Sequence, residues 1–245
     1  MRIDTYLFEK KLSSSRTKAK EMIETGRVSI NGAVISKSSY EVTEDTVVDI
    51  APAQNTEFVG RGGLKLEAAL DAFNVLPYGR VCADIGASTG GFTDCLLKRG
   101  AKKVYAIDSG TGQLVKKLLD DDRVVSLEGF NARYMTSDDI CGDKVSLVVM
   151  DVSFISQKLI YPAIKAICEE SADIITLIKP QFEAGRENIG KKGIVKSDKV
   201  RQKVIEDIIE NGKIFGFEKL GLIESPIKGG SGNTEFLIHF KYERI

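Results

Sequence analysis

The stretch Val81-Cys82-Ala83-Asp84-Ile85-Gly86-Ala87-Ser88-Thr89-Gly90-Gly91-Phe92-Thr93 constrains the fold more than any other. A short apolar run ends on an acid, small residues and three glycines follow, and a helical pattern runs from Phe92 to Lys98. This is a strand, a tight turn and a helix N-terminus, where a ligand can approach bare backbone. About twenty residues on, Lys103-Val104-Tyr105-Ala106-Ile107 reads as a second strand and ends on Asp108, placed to take the hydroxyls of a ribose at a parallel sheet edge.

Three ligand classes use such a turn. A dinucleotide site wants Gly-x-Gly-x-x-Gly, but Gly86, Ser88 and Gly91 put serine at the middle close approach. A P-loop wants a Gly-Lys-Ser/Thr ending, which is missing here. The third class is a nucleoside carrying an amino acid in place of phosphates, S-adenosylmethionine. Asp84 would then face the amino-acid end, Gly86 to Gly91 the backbone cradle and Asp108 the ribose. An ordinary tight turn is the bland alternative. Gly86-Ala87-Ser88-Thr89-Gly90 also matches the nucleophile elbow of serine hydrolases, with His239 downstream. Against that, His239 sits in the strand-like run Glu235-Phe236-Leu237-Ile238-His239-Phe240, whereas a triad histidine normally comes from a loop.

The 245 residues suffice for one large domain and a small one. Net charge is zero, so affinity for nucleic acid has to come from local patches. Cys82, Cys95, Cys141 and Cys168 form no C-x-x-C pair and His239 is the one histidine, which argues against a zinc site or a disulfide framework and for a reducing cytosol. No apolar stretch approaches about 18 residues, and no signal-peptide apolar region opens the chain. The expectation is a soluble, cytoplasmic protein with no membrane partner and no metal.

Residues 1–50 read as a separate module. A short helix, Asp4 to Lys11, precedes a second, Arg16 to Thr25, capped by Ser13-Ser14-Ser15 and closed by Gly26. Val28-Ser29-Ile30, Asn31-Gly32 and Ala33-Val34-Ile35 predict a hairpin, and Val47 to Ile50 a further strand. Residues 1 to 40 hold eight Lys/Arg against four Asp/Glu, and Arg16 and Lys20 share a helix face with Arg27 following at the turn. Residues 51–60 read as a linker. From 61 to 245 strands at about 81–85, 103–107, 124–127, 145–150 and 172–178 alternate with helices at about 91–99, 111–119 and 156–168; helix 198–211 and strand signals near 214–223 and 234–241 complete a doubly wound α/β sheet. A helix from Leu64 to Phe73 precedes it, with Lys65 off its apolar stripe.

Ligands of open α/β sheets bind beyond the carboxyl ends of the parallel strands. Asp84, Asp108, Asp151 and Lys179 end the first, second, fourth and fifth strands, and Glu235 begins the last, reaching the same rim if that strand runs antiparallel. A lysine directly after an apolar strand and before proline, as Lys179 is, is an odd choice for mere solvation. Two lysines, an aspartate and a glutamate around a sulfonium methyl donor suit the deprotonation of a ribose 2′-hydroxyl as it attacks the methyl carbon. A lysine serves as base if partial burial or a second cation lowers its pKa. Lys65 would be that cation, Asp151 would hold the base, and Glu235 would fix the other lysine or the substrate.

The sequence resembles a known family over nearly its whole length. Arg2-Ile3-Asp4, Ser15 to Lys20, Gly26-Arg27-Val28 and Ile30-Asn31-Gly32 resemble the small RNA-binding domain of the ribosomal-protein S-four type. Gly60 to Leu66, Asp84 to Thr93, Asp151 to Ser156, Ile178 to Glu183 and Gly232 to Phe236 resemble the TlyA (hemolysin A) family, which joins that domain to an FtsJ-like methyltransferase domain. The resemblance implies a seven-stranded Rossmann-like class I methyltransferase sheet with a C-terminal hairpin, beside a small α+β domain. It implies S-adenosylmethionine-dependent 2′-O-methylation of cytidine in ribosomal RNA, free or in subunits. Lys65, Asp151, Lys179 and Glu235 would be its catalytic tetrad, with Lys179 the base. Asp84, Gly86, Ser88, Gly90, Gly91, Phe92, Thr93, Asp108, Asn131 and Asp151 would bind the cofactor, with Asn131 near the adenine. Arg2, Arg16, Lys18, Lys20, Arg27 and Asn31 would meet RNA, and Lys191 and Lys192, in the basic loop 185–203, would clamp the target strand. The alternatives are a membrane-lytic protein, which the hemolysin label raises, and an RNA-binding protein whose methyltransferase domain is inactive.

Overall fold

A computed structural model describes residues 1–13, 15–24, 26–30, 32–43, 46–50, 58–190 and 193–244, leaving aside the side chains of 17, 18, 21 and 24. The chain forms two compact units, Met1–Thr56 and Glu57–Ile245.

In the first unit, helices α1 (Ile3–Glu9) and α2 (Arg16–Glu24) are followed by strands β1 (Val28–Ile30), β2 (Ala33–Val34) and β3 (Val48–Ile50). The strands pair antiparallel in the order β2-β1-β3. Ile3, Tyr6 and Leu7 of α1 and Ala19, Met22 and Ile23 of α2 pack with Val28, Ile35 and Val42 into a core of their own. Gly26, at φ +70°, turns the chain out of α2 as a left-handed C-terminal residue should. Ser14, Thr25 and Asn31, expected in the cap, the helix end and the hairpin turn, and linker residues 51–57 lie outside the described residues.

The second unit runs α3 (Gly62–Phe73), β4 (Val81–Ile85), α4 (Gly91–Lys98), β5 (Lys103–Ile107), α5 (Lys116–Leu119), β6 (Val124–Leu127), β7 (Val145–Met150), α6 (Tyr161–Ile167), β8 (Cys168–Ile178), α7 (Pro180–Glu183), α8 (Asp198–Ile214), β9 (Phe217–Glu224) and β10 (Phe236–Glu243). The sheet order is β6-β5-β4-β7-β8-β10-β9. The first five are parallel, and β10 is antiparallel to both β8 and β9, closing the sheet with a hairpin. This is the seven-stranded methyltransferase arrangement. The chain steps outward from β4 to β6 and returns to β7, so the order reverses beside β4, where open α/β sheets bind ligands.

Both faces of the sheet are covered, which is why its strands read as continuous apolar runs. Cys82, Val104, Leu147 and Ile175 point to the face that α3 and α4 cover with Leu66, Leu70 and Leu96. Ala83, Tyr105, Val148 and Ile174 point to the other, under Tyr161 and Ile164 of α6 and Ile205 and Ile208 of α8.

Two helices are shorter than their patterns predict. The helix expected over 111–119 begins only at Lys116. The Glu128 carboxylate accepts from the backbone N–H groups of Gly112 (2.7 Å), Gln113 (2.8 Å) and Leu114 (3.0 Å), holding that segment as a loop. The helix expected over 156–168 is a 3-10 turn at Gln157–Leu159 followed by α6, and the chain enters β8 already at Cys168.

Candidate active site

The turn after β4 has the strained backbone its glycines predict. Gly86 sits at φ +86° and Gly90 at +98°, with Ser88 at +49° between them. A Cβ at Gly86 would collide with the carbonyl oxygen of Asp151, so β4 and β7 approach here as only glycine allows. Ser88 N–H donates to Asp108 Oδ2 (2.7 Å) and Gly110 N–H to Asp108 Oδ1 (2.7 Å), so the acid after β5 also orients the two loops on either side of it.

Two hollows flank this turn and share Gly86, Ser88 and Asp151. The larger, about 470 Å³, runs along the ends of β4, β5 and β7, between Asp108, Phe130 and Asn131 on one side and residues 151–155 on the other. The smaller, about 140 Å³, lies between Gly60-Arg61-Gly62 and the turn, and Gly91 and Phe92 line it. A glycine crossing with no room for a Cβ, an acid at the end of the second strand and an elongated hollow with apolar and carboxylate walls fit S-adenosylmethionine. Asp108 and Asn131 would face its nucleoside end, and the Gly86–Gly91 backbone and Asp151 its amino-acid end.

Three residues expected to hold the cofactor lie behind this wall. Asp84 is fully buried, accepts from Thr93 Oγ1 (2.6 Å) through Oδ2, and leaves Oδ1 without a hydrogen-bond partner. Burial, with Asp151 and Asp108 adding repulsion against the bond from Thr93, pushes its carboxyl up from 3.8 to about 7. Thr93 is equally buried, and a Cβ at Gly90 would point at Leu118, away from the hollows. These three shape the turn from underneath.

The tetrad residues meet in two ion pairs. Lys65, from the first turn of α3, donates to Glu235 Oε2 at 2.6 Å, and both side chains are buried. Lys179 Nζ lies 2.5 Å from Asp151 Oδ1, a contact of charge without hydrogen-bond alignment, and donates to Ser153 Oγ at 2.8 Å. Glu235 directly precedes β10 and is not part of it; the antiparallel pair Phe236↔Ile178 sets it level with Lys179. Gln181, in α7, donates to Glu235 Oε1 (3.1 Å), linking the residues around Lys179 to the second pair.

Other side chains at this rim had no role assigned from sequence. Phe154 is 91% exposed at φ +65°, lines the larger hollow and packs on Phe182 with ring centroids 4.9 Å apart. Glu183 accepts from Ser156 Oγ (2.6 Å) and Gln157 N–H (2.9 Å). Both sit within the stretches that carry the family resemblance, but nothing local announces a positive φ at phenylalanine or a glutamate with distant backbone partners.

The hydrolase arrangement does not form. His239 is held by Asp173 (2.7 Å) and stacks on Phe73, at the level of Ile175 in β8, while Ser88 lies beyond the end of β4 and donates to Gln113. Among the described residues no group of His, Cys, Asp and Glu comes together as a metal ligand set. No helix among them is long and apolar enough to cross a membrane.

In the first unit, Arg2 and Arg16 both bind the buried Asp4. Arg2 Nε donates to Oδ1 at 3.0 Å and an Arg16 N–H to Oδ2 at 3.1 Å. Burial alone would raise the Asp4 carboxyl, but the two guanidinium groups outweigh it and hold it below the usual range. Both arginines stay half-exposed, Lys20 is exposed and Arg27 half-buried. The Lys18 side chain, Asn31, Lys191 and Lys192 lie outside the described residues.

The chain matches the FtsJ-like methyltransferase family over residues 58–242 and the S4 domain over residues 1–48. It is 43% identical to Hemolysin A of Brachyspira hyodysenteriae over 98% of this chain and 99% of that protein. It is 40% identical to the 16S/23S rRNA (cytidine-2'-O)-methyltransferase TlyA of Mycobacterium tuberculosis, over 97% of this chain and 88% of that one. A solved structure from Streptococcus thermophilus that carries the name hemolysin superposes with a TM-score of 0.79 at 43% identity, over 99% of this chain and 88% of that one. Likeness over nearly the full length of each relative, together with both domain matches, makes this chain a member of the TlyA (hemolysin A) family.

Proposed function

We propose that the protein methylates the 2′-hydroxyl of a cytidine in ribosomal RNA, with S-adenosylmethionine as donor. The observation that carries this reading is the pair of ion pairs at the rim of the sheet, Lys179–Asp151 just beyond the ends of β8 and β7, and Lys65–Glu235 between α3 and the residue before β10. The donor, when bound, supplies an electrophilic methyl carbon on a positively charged sulfur.

A ribose hydroxyl is a weak nucleophile until its proton is drawn away. As the base, Lys179 would take that proton on the lone pair of Nζ; Asp151 and Ser153 fix where that nitrogen points. Asp151 then faces the lysine as an ammonium and stabilises the charge it has gained. Lys65, buried against Glu235, gives the rim a fixed cation that orients the attacked hydroxyl. The glycine turn and Asp108 position the donor, and most of the acceleration comes from alignment. The first unit would bring the RNA: Arg2, Arg16 and Lys20 present positive charge to phosphates, reading shape more than sequence. The basic stretch 185–203, which runs into α8, would add a second contact to the strand.

The deciding measurement is transfer of labelled methyl to ribosomal subunits lacking the modification, followed by mapping of the product. The expected product is a blocked cytidine ribose. Lys179→Ala should lower transfer by about a thousandfold or more and leave donor binding within a few-fold. A methylated base, or a Lys179→Ala enzyme with full activity, would end this reading. The name of the Brachyspira relative favours a lytic reading instead, which requires lysis of red cells by purified protein without RNA or donor.

A further inference from the structure

Residues 152–155 connect β7 to the 3-10 turn, and among the described residues they make no backbone–backbone hydrogen bond. Yet this segment carries Ser153, which accepts from Lys179, and Phe154, whose positive φ is costly for a bulky side chain. A conformation like that persists only where its surroundings over-determine it. Here the surroundings are side chains of α7, which follows β8. Phe182 packs on Phe154, and the Glu183 carboxylate accepts from Ser156 Oγ and from Gln157 N–H. Gln157 is itself buried and accepts from Tyr161 of α6 (3.2 Å), so the anchored end is firm.

We propose that Glu183 is a positioning residue for methyl transfer: by gripping Ser156 and the Gln157 amide it holds Ser153 and Phe154 in place against Lys179. The inference rests on the methyltransferase reading above. Lys179 directly precedes α7 and Glu183 ends it, so the proposed base and the group that fixes the loop facing it flank one short helix. Burial raises the Glu183 carboxyl above the usual range, against the bonds from Ser156 and Gln157 and the charge of Lys158. Both donors are uncharged, a hydroxyl and a backbone N–H, so the grip works by hydrogen bonding and reach. A glutamine of the same length keeps both bonds: its carbonyl accepts from Gln157 N–H and its amide donates to Ser156 Oγ. An aspartate keeps the charge and loses the reach.

The chain has no tryptophan, so Phe154→Trp installs a lone indole on the loop, excited at longer wavelength than the tyrosines. In that background its anisotropy should be unchanged by Glu183→Gln and lowered by Glu183→Asp and Glu183→Ala. In the otherwise native enzyme, Glu183→Asp should lower kcat/KM by about tenfold or more, with Glu183→Gln within about threefold of wild type. Anisotropy and activity unchanged in Glu183→Asp would overturn the proposal, and so would Glu183→Gln impaired as deeply as Glu183→Asp. Glu183→Asp decides the matter even where Glu183→Ala does not fold. The anisotropy arm needs no methyl transfer, so a wild-type protein that transfers none would sink the functional reading alone.

Discussion

Asp84 is the most unfavourable side chain near the cavity, a carboxyl with no solvent, one hydroxyl partner and two other carboxylates nearby. Its carboxyl rises from 3.8 to about 7, so folded and unfolded chains bind its proton differently across that window. Below it both states are protonated. Inside it only the folded chain keeps the proton, so stability falls as pH rises, by about 4 kcal/mol at most once both states have ionised. Asp84→Asn, which can still accept from Thr93, should flatten this dependence. Without donor, its thermal midpoint should match wild type near pH 4 and exceed it at pH 8. A wild-type midpoint that holds level between those pH values would show that Asp84 is compensated in a way these contacts do not reveal.

Single elements carry distinct loads at this rim. The glycine turn is one, and its glycines are not equivalent. Gly86→Ala meets both a positive φ and the Asp151 backbone, so it should cost about 2–4 kcal/mol and weaken donor binding. Gly230 has open space around its missing Cβ and no positive φ, so Gly230→Ala should leave stability within about 1 kcal/mol of wild type. Chemical denaturation of both variants makes the comparison, and equal losses would contradict the packing account. The one-turn helix α7 is another such element. Four residues cannot hold a helix alone, yet Pro180 starts it with φ already set and its side chains are tied to Glu235, Phe154, Ser156 and Gln157.

At the level of the whole molecule, each unit has a core of its own, and the RNA binding proposed for the first should be separable from the chemistry proposed for the second. Arg16→Ala should raise KM for the RNA by about tenfold at unchanged kcat, and lower the slope of log affinity against log salt by about one phosphate contact. A fall in kcat with KM unmoved would place Arg16 in the chemistry. Asp4 belongs to the same test, because it fixes the half-exposed guanidinium groups of Arg2 and Arg16 from below.

What the sequence determined by itself was local. The strand–turn–helix at 81–93, the alternation that follows and the hairpin signal at 28–35 are legible because backbone preference and apolar period act over a few residues. Motif resemblance carried the four rim residues as well, and β10 running antiparallel to β8 brought Glu235 to that rim. The expected roles already set Asp151 on the base Lys179 and left Glu235 to the other lysine or to the substrate; the tertiary structure decided for Lys65, 170 residues away in sequence. It also decided that Asp84 and Thr93 support the turn from beneath, that Glu128 binds the backbone amides of residues 112–114, and that Glu183 reaches back to residues 156 and 157. The reason is physical: a polar group's partner is set by which chain segments the sheet order brings together, and no window of neighbouring residues contains that order.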